Sequence, residues 1–395
     1  MRKRIFLNCL IAASFVIGLA FMAGCEGPEG KPGPAGANGQ DGVDGVDGTD
    51  GTDGVDGNVS CLQCHSAETP QVILEQFNQS VHSAGQIAVD YAGGRASCAQ
   101  CHSSEGFIEF ARTGSVEENI SSPSAWECKT CHSIHETFEG PTDYALRLAE
   151  PINFIFDSTA TTYDLGNSNL CANCHQSRRS GPYDMGGEMV DLDGDDVDET
   201  EVPDGYFFIN STHYGPHHGA QSNVLVGVGF AELEGAFSYP AAESASHNDA
   251  DFGRCTGCHM ATYGNGAGGH TWNPALDGCN VAECHDGGLT DFNANNVQTE
   301  TAALLEELRD LLVAEGVVEF VEEEHYELNP ETGEIELVVT PEGYEPIVGL
   351  HPVEFAQAFF NWIGLEEDRS EGIHNPAYYK ALLENSIEAL EAAAL

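Results

Sequence analysis

AWECKTCHSIH, residues Ala125–His135, places two cysteines and two histidines within eleven residues. Cys128 and Cys131 are two residues apart, His132 follows directly, and His135 comes three later. The same arrangement recurs along the chain. CLQCH (Cys61, Cys64, His65), CAQCH (Cys98, Cys101, His102), CANCH (Cys171, Cys174, His175) and CTGCH (Cys255, Cys258, His259) repeat it. CNVAECH (Cys279, Cys284, His285) keeps the final Cys-His but has four residues between its cysteines. Of fourteen cysteines, only Cys9 and Cys25 fall outside these six pairs.

A histidine after every pair separates the candidate chemistries. Disulfides have no use for it, and zinc or redox CxxC sites do not need it each time. C-x-x-C-H is the attachment pattern of c-type haem: the two thiols add to the haem vinyl groups and the adjacent imidazole reaches the iron. Six covalent haems are therefore expected, with His65, His102, His132, His175, His259 and His285 as proximal ligands.

The remaining histidines bear on the opposite face of each iron. Ten of the sixteen are left, and three of these, His325, His351 and His374, sit in a cysteine-free tail. That leaves His82, His135, His213, His217, His218, His247 and His270 for six distal positions. His217 and His218 are adjacent, so they cannot both face one iron. His135, read as one helical turn beyond His132, is expected to cap a neighbouring haem rather than its own. Methionine is the rival ligand and raises haem potential, but Met185, Met189 and Met260 are too few for six sites. Bis-histidine, low-spin, low-potential haems are expected, which argues against a dedicated catalytic iron.

The flanking sequence sets the compartment. Arg2, Lys3 and Arg4 precede an apolar run from Ile5 to Phe21, the pattern of an export signal. Met22-Ala23-Gly24-Cys25 resembles a bacterial lipobox with Cys25 as the lipidated residue; the alternative is a plain secretory signal. From Gly27 to Val59 glycine takes every third place, eleven times in register. This collagen-like tract reads either as a trimerising triple helix or as an extended linker. At about 3.1 Å per residue it would span roughly 100 Å. Formal net charge is −50, or −53 once the three cations of residues 1–24 are removed. Such acidity excludes nucleic-acid binding and leaves membrane association to the lipid anchor alone.

Four regions follow: a signal over 1–24, an anchor and Gly-X-Y linker over 25–59, a hexahaem domain over 60–298 and a tail over 299–395. The haem region is rich in turn-forming residues. The tail holds ETAALLEELRDLLVAEG at helical spacing, YELNPETGEIELVV as a hairpin, and two further helices, the last capped by Asn375 with Pro376 at its first position. The expected fold class is a multihaem cytochrome c: a mostly irregular chain with short α-helices around a stacked haem core, plus a mainly helical C-terminal tail with a small β-hairpin. DLDGDDVDE (Asp191–Glu199) resembles part of a calcium loop through Asp191, Asp193 and Asp195, against the plainer reading of a solvated acidic loop.

The chain resembles the outer-surface multihaem c-type cytochromes of metal-reducing bacteria, which include filament-forming members. Besides the six motifs, the resemblance rests on THYGPHHGAQSNVLVG (Thr212–Gly227), SHNDADFGRCTGCHM followed by GGHTW, and GIHNPAYYKALLENSIEAL. It implies distal ligation by His217 or His218, by His247 and by His270. It also implies electron transfer at the cell surface to a metal oxide or partner cytochrome, with a filament as the assembly the resemblance suggests and a trimer the one the Gly-X-Y tract suggests. The collagen-like tract departs from the filament-forming pattern. The closing helix also resembles that of multihaem reductases of nitrite, hydroxylamine or sulfur oxyanions, which is the alternative function.

Overall fold

Cys98, Cys101, Cys128, Cys131, Cys171, Cys255, Cys258 and Cys279 sit on helices too short to be stable alone. In the computed structural model, α1 (Thr69–Phe77) is followed by α2 (Ala96–His102), α3 (Ser104–Thr113), α4 (Cys128–Cys131) and α5 (Asn169–Ala172). Then come α6 (Gln221–Val226), α7 (Arg254–His259) and α8 (Leu276–Cys279). The residues described are 69–136, 144–157, 159–192, 194, 199–251, 253–263, 267–281, 284–328 and 335–393. The export signal, Cys25, the Gly-X-Y tract, Cys61, Cys64, His65, Asp193 and Asp195 lie outside them. Among the described residues no helix is long and apolar enough to cross a membrane.

One helical turn suits the motif because residues three and four apart share a face. A cysteine at i, a cysteine at i+3 and a histidine at i+4 then project together. Local capping fixes the motif turn α4 and the helix α3 that follows the motif at 98–102. Ser103 accepts from the Gly106 amide at the start of α3, and Glu127 and Thr130 form a reciprocal capping box on α4. Buried side chains are sparse around the first motifs, with Val89, Ala92, Ala99 and Phe107 the main ones. A small cluster of Ile152, Phe154, Tyr163, Leu165, Ala172 and Val226 packs beside α5.

The conventional core lies further along the chain. It is built on α9 (Val297–Ala314), α10 (Val353–Asp368) and α11 (Pro376–Ala393). Thr301, Leu305, Leu308 and Leu312 form the buried stripe of α9 at helical spacing. α10 is buried nearly all round through Phe355, Phe359, Phe360, Trp362 and Leu365, so it is the central helix. Asn375 accepts from the Tyr378 amide at the start of α11, consistent with the capping signal in the sequence.

Four two-stranded antiparallel sheets complete the described residues. β1 (Ile152–Asn153) pairs with β2 (Thr162–Tyr163), and β3 (Met189–Val190) with β4 (Thr200–Glu201). β5 (Tyr206–Ile209) pairs with β8 (Gly349–Pro352), while β6 (Val318–Leu328) and β7 (Ile335–Pro346) form the hairpin. The hairpin strands extend well beyond YEL and EIELVV, the six residues joining them lying outside those described.

The β5–β8 pairing ties the motif-bearing half to the tail. Buried Asn361 extends that tie, donating to the Ala231 carbonyl at 2.8 Å and accepting from its amide at 2.9 Å. Residues on both sides of position 299 therefore share one core, in which Phe207, Tyr214 and Phe230 pack against Phe359, Phe360 and Tyr378.

Candidate haem-ligand site

Every motif histidine among the described residues lies near a second imidazole. Ring centres are 5.9 Å apart for His102 and His217, and 6.1 Å for His175 and His82. They are 6.2 Å apart for His132 and His270, 6.3 Å for His259 and His374, and 6.5 Å for His285 and His247. Two metal–imidazole bonds of about 2.0 Å, plus roughly 1.1 Å from each nitrogen to its ring centre, put two rings about 6 Å apart across a shared metal. The pairs fit that spacing. Direct ring stacking would be closer.

The hydrogen bonds orient these rings. Nδ1–H of His132 donates to the Tyr144 carbonyl at 2.7 Å, that of His259 to the Trp272 carbonyl at 2.8 Å, and that of His175 to Gln221 Oε1 at 2.9 Å. His247 Nδ1–H donates to the Ile373 carbonyl, and His374 Nδ1–H to Asp368 Oδ1 at 2.7 Å. An Nδ1 held in this way fixes the tautomer and leaves Nε2 to bind a metal. His102 Nδ1 is buried and has no hydrogen-bond partner among the described residues. His351 is the reverse case. Its Nε2 is bonded to the Ile347 carbonyl at 2.7 Å, so the nitrogen a metal would need is taken.

Burial keeps most of these imidazoles in the neutral, metal-binding form. It lowers His82 to about 4, helped by the nearby His175, and lowers His217 to about 4, helped by Arg178. It also lowers His102, His175, His259 and His270. His175 has an accessible edge by surface area yet is surrounded by protein on the longer range that governs its ionisation. Among the described residues no group of three or more His, Cys, Asp or Glu is placed to hold a metal ion. A haem needs only two axial protein ligands, because its porphyrin supplies the other four, so paired imidazoles are the donor set that suits it.

The described motif cysteines are free, and they approach one another between motifs. Cys101 and Cys174, and likewise Cys171 and Cys255, are close enough to influence each other's ionisation, and Cys101 Sγ lies 3.6 Å from the Asn173 carbonyl. Cys258 neighbours Cys279 and Cys284. Backbone and side-chain contacts reinforce the order: Gln100 Nε2 donates to the Asn173 carbonyl at 3.2 Å, and the Thr256 amide donates to Ser168 Oγ at 3.1 Å. Ser104 and Thr130 hydroxyls meet at 2.7 Å, joining the second and third motifs. The motifs at 98, 171, 255 and 279 thus run in a row, with that at 128 beside it.

The histidines opposite the motif histidines come from turns rather than α-helices. His82, His247 and His270 lie on single 3-10 turns. His217 has φ +83°, a left-handed backbone followed by Gly219 at +79°. Gly268, φ +79°, precedes the His270 turn, and a Cβ there would collide with the Ala261 carbonyl. Only glycine suits that position.

Of the seven distal candidates, His82, His217, His247 and His270 face a described proximal histidine. His217, rather than His218, is the one opposite His102. His218 instead donates from Nδ1 to Glu367 Oε1 at 2.6 Å, and that hydrogen bond raises its pKa. His213 is exposed. His135 is not one helical turn beyond His132, as the sequence suggested. α4 ends at Cys131, His132 is extended, and His135 has φ +60°. The chain leaves the helix because Ser133 and Arg147 amides bond to the Ala145 and Cys131 carbonyls, pairing 131–133 with 145–147. His135 borders an apolar cleft of about 490 Å³ with Leu74, Phe77, Cys128 and Ile134.

His374 is the pair member that sequence reasoning set aside, because it lies in the cysteine-free tail. Its available signal was position: it immediately precedes the Asn375-Pro376 helix start, whose cap fixes its direction. Met185 packs against the core and accepts from the Phe208 amide through sulfur at 3.5 Å. Met189 is exposed on β3, and Met260 ends α7. In the acidic loop, Asp191 Oδ1 accepts from the Gly194 amide at 2.8 Å; Asp193 and Asp195, which the calcium reading needs, are outside the described residues. No protein-family model, curated protein or solved structure matches the chain.

Proposed function

We propose that this protein is a multihaem electron carrier. The supporting observation is that all five described proximal histidines face a second imidazole at metal-bridging separation. Cys98 and Cys101, Cys128 and Cys131, Cys171 and Cys174, Cys255 and Cys258, and Cys279 and Cys284 would each hold one haem through thioether bonds. His102/His217, His132/His270, His175/His82, His259/His374 and His285/His247 would be the axial pairs. Cys61, Cys64 and His65, which lie outside the described residues, would supply a sixth site by their sequence pattern alone. A bound haem supplies a one-electron Fe(III)/Fe(II) couple.

The protein's own contribution is to hold neighbouring motifs in contact and to set the tautomer and direction of each imidazole. Axial pairs on both sides of iron favour a carrier over a reductase, which requires an open coordination position. The export signal and lipobox pattern support anchoring through Cys25 at the cell surface, with a metal oxide or another multihaem cytochrome as acceptor. The Gly-X-Y tract would set the reach or the trimeric state. Calcium at the acidic loop remains part of the proposal only through its sequence pattern.

Cysteine contacts between motifs favour one competing reading: disulfides joining Cys101 to Cys174 and Cys171 to Cys255. Disulfides would leave five facing imidazole pairs without a purpose. A haemochrome assay combined with intact mass of the mature protein separates the two. The expected result is six covalent haems per chain. A haem-free mass, lowered by the hydrogens lost in disulfide formation, would overturn the proposal.

A further inference from the structure

Resting on the haem reading above, we propose that Asp368 is a potential-setting residue, which through His374 holds the haem of Cys255 and Cys258 at a lower reduction potential than a neutral acceptor would. Asp368 ends α10 and its side chain is fully buried. Oδ1 accepts from His374 Nδ1–H at 2.7 Å, and Oδ2 accepts from the Ser370 hydroxyl. Ser370 Oγ also accepts from the His374 amide at 3.3 Å, so one short turn holds imidazole, hydroxyl and carboxylate together. The opposite ring, His259, is 6.3 Å away.

This arrangement is different in kind from its neighbours. Where an Nδ1–H in the other described pairs has an acceptor, that acceptor is a backbone carbonyl or the Gln221 amide, all neutral. A carboxylate draws the Nδ1 proton more strongly, makes Nε2 a better electron donor, and so favours Fe(III) over Fe(II). Its charge acts in the same direction. Ferric bis-imidazole haem carries a net positive charge and the ferrous form does not, so a buried anion stabilises the oxidised member of Fe(III) + e⁻ ⇌ Fe(II). Glu367, one residue earlier, binds His218, but that ring is 78% exposed and faces solvent.

The test is a potentiometric titration of the full mature protein, with haem count and spin state measured on the same samples. Asp368→Asn keeps the shape and removes the charge. It should raise one haem of the six by at least tenfold in its reduction equilibrium, which is about 59 mV for one electron. Ser370→Ala removes a competing donor, leaves the carboxylate more basic, and should shift the same haem downward. A merely structural role does not predict opposite signs. Unshifted potentials in both variants, with six low-spin haems retained, would overturn the inference and leave the haem proposal standing. Should Asp368→Asn fail to accumulate, an unshifted Ser370→Ala alone would overturn it. Absence of covalent haem from the unaltered protein would instead remove the reading on which the inference rests.

Discussion

His374→Ala should convert one of six haems in the oxidised protein from low-spin to high-spin, while all six stay covalently attached. His374 stands 6.3 Å from His259, the proximal residue of the Cys255–Cys258 motif. Truncating it removes one axial nitrogen and leaves the cysteines and His259 in place. Loss of a strong axial ligand changes spin state, so the optical spectrum should gain a high-spin component of about one haem in six. His351→Ala is the matched control. His351 is also a buried tail histidine, but its Nε2 already meets the Ile347 carbonyl, so its loss should cost stability without altering spin state. Equal spectra for the two variants would remove His374 from the ligand set.

The second large effect is expected from Cys171→Ser combined with Cys174→Ser. This motif touches two others, with Gln100 donating to the Asn173 carbonyl and the Thr256 amide donating to Ser168 Oγ. Its histidine faces His82, whose ring also lies 4.7 Å from Trp272 and 6.0 Å from Trp126. Removing the attachment should give five haems and break the row between residues 98–102 and 255–259. Loss of a large apolar group from a packed site costs on the order of 3–5 kcal/mol, and a mid-sized domain loses roughly 2–4 °C of Tm per kcal/mol. The same exchange at Cys279 and Cys284, at the end of the row, should also give five haems but a smaller fall in Tm. Equal losses would contradict the order of motifs described above.

Sequence and structure diverge where the deciding interaction is long-range. The motif turns were legible because Cys, Cys and His at i, i+3 and i+4 are a local pattern that one helical turn satisfies. The helices at 297–314 and 376–393 were legible from leucine spacing and from Asn375-Pro376. Which of the candidate histidines meets which motif was not, because each pairing is set by packing between distant segments. His374 meets His259 only because α11 is anchored in the core by Tyr378, Leu382 and Leu383, and nothing near residue 374 in the chain reports that.

Choosing His217 over His218 likewise required Glu367, at the far end of α10, to take one of the two adjacent rings. The misplaced helical turn at His135 has the same origin. Pairing with residues 145–147 overrides continuation of α4, and helical propensity in a four-residue segment is too weak to resist it. A core shared between β5 and β8 could not be read from the change of sequence texture near residue 299, since composition reports solvent exposure and spacing but not strand partners.

The axial pairing of imidazoles is tested most directly by electron paramagnetic resonance of the fully oxidised mature protein, quantified against its haem content. The account predicts that every haem gives a low-spin bis-histidine signal and that no stoichiometric high-spin component is present. A high-spin signal equal to one haem or more would contradict it, and turnover of nitrite or hydroxylamine by the same sample would assign the protein to the reductases.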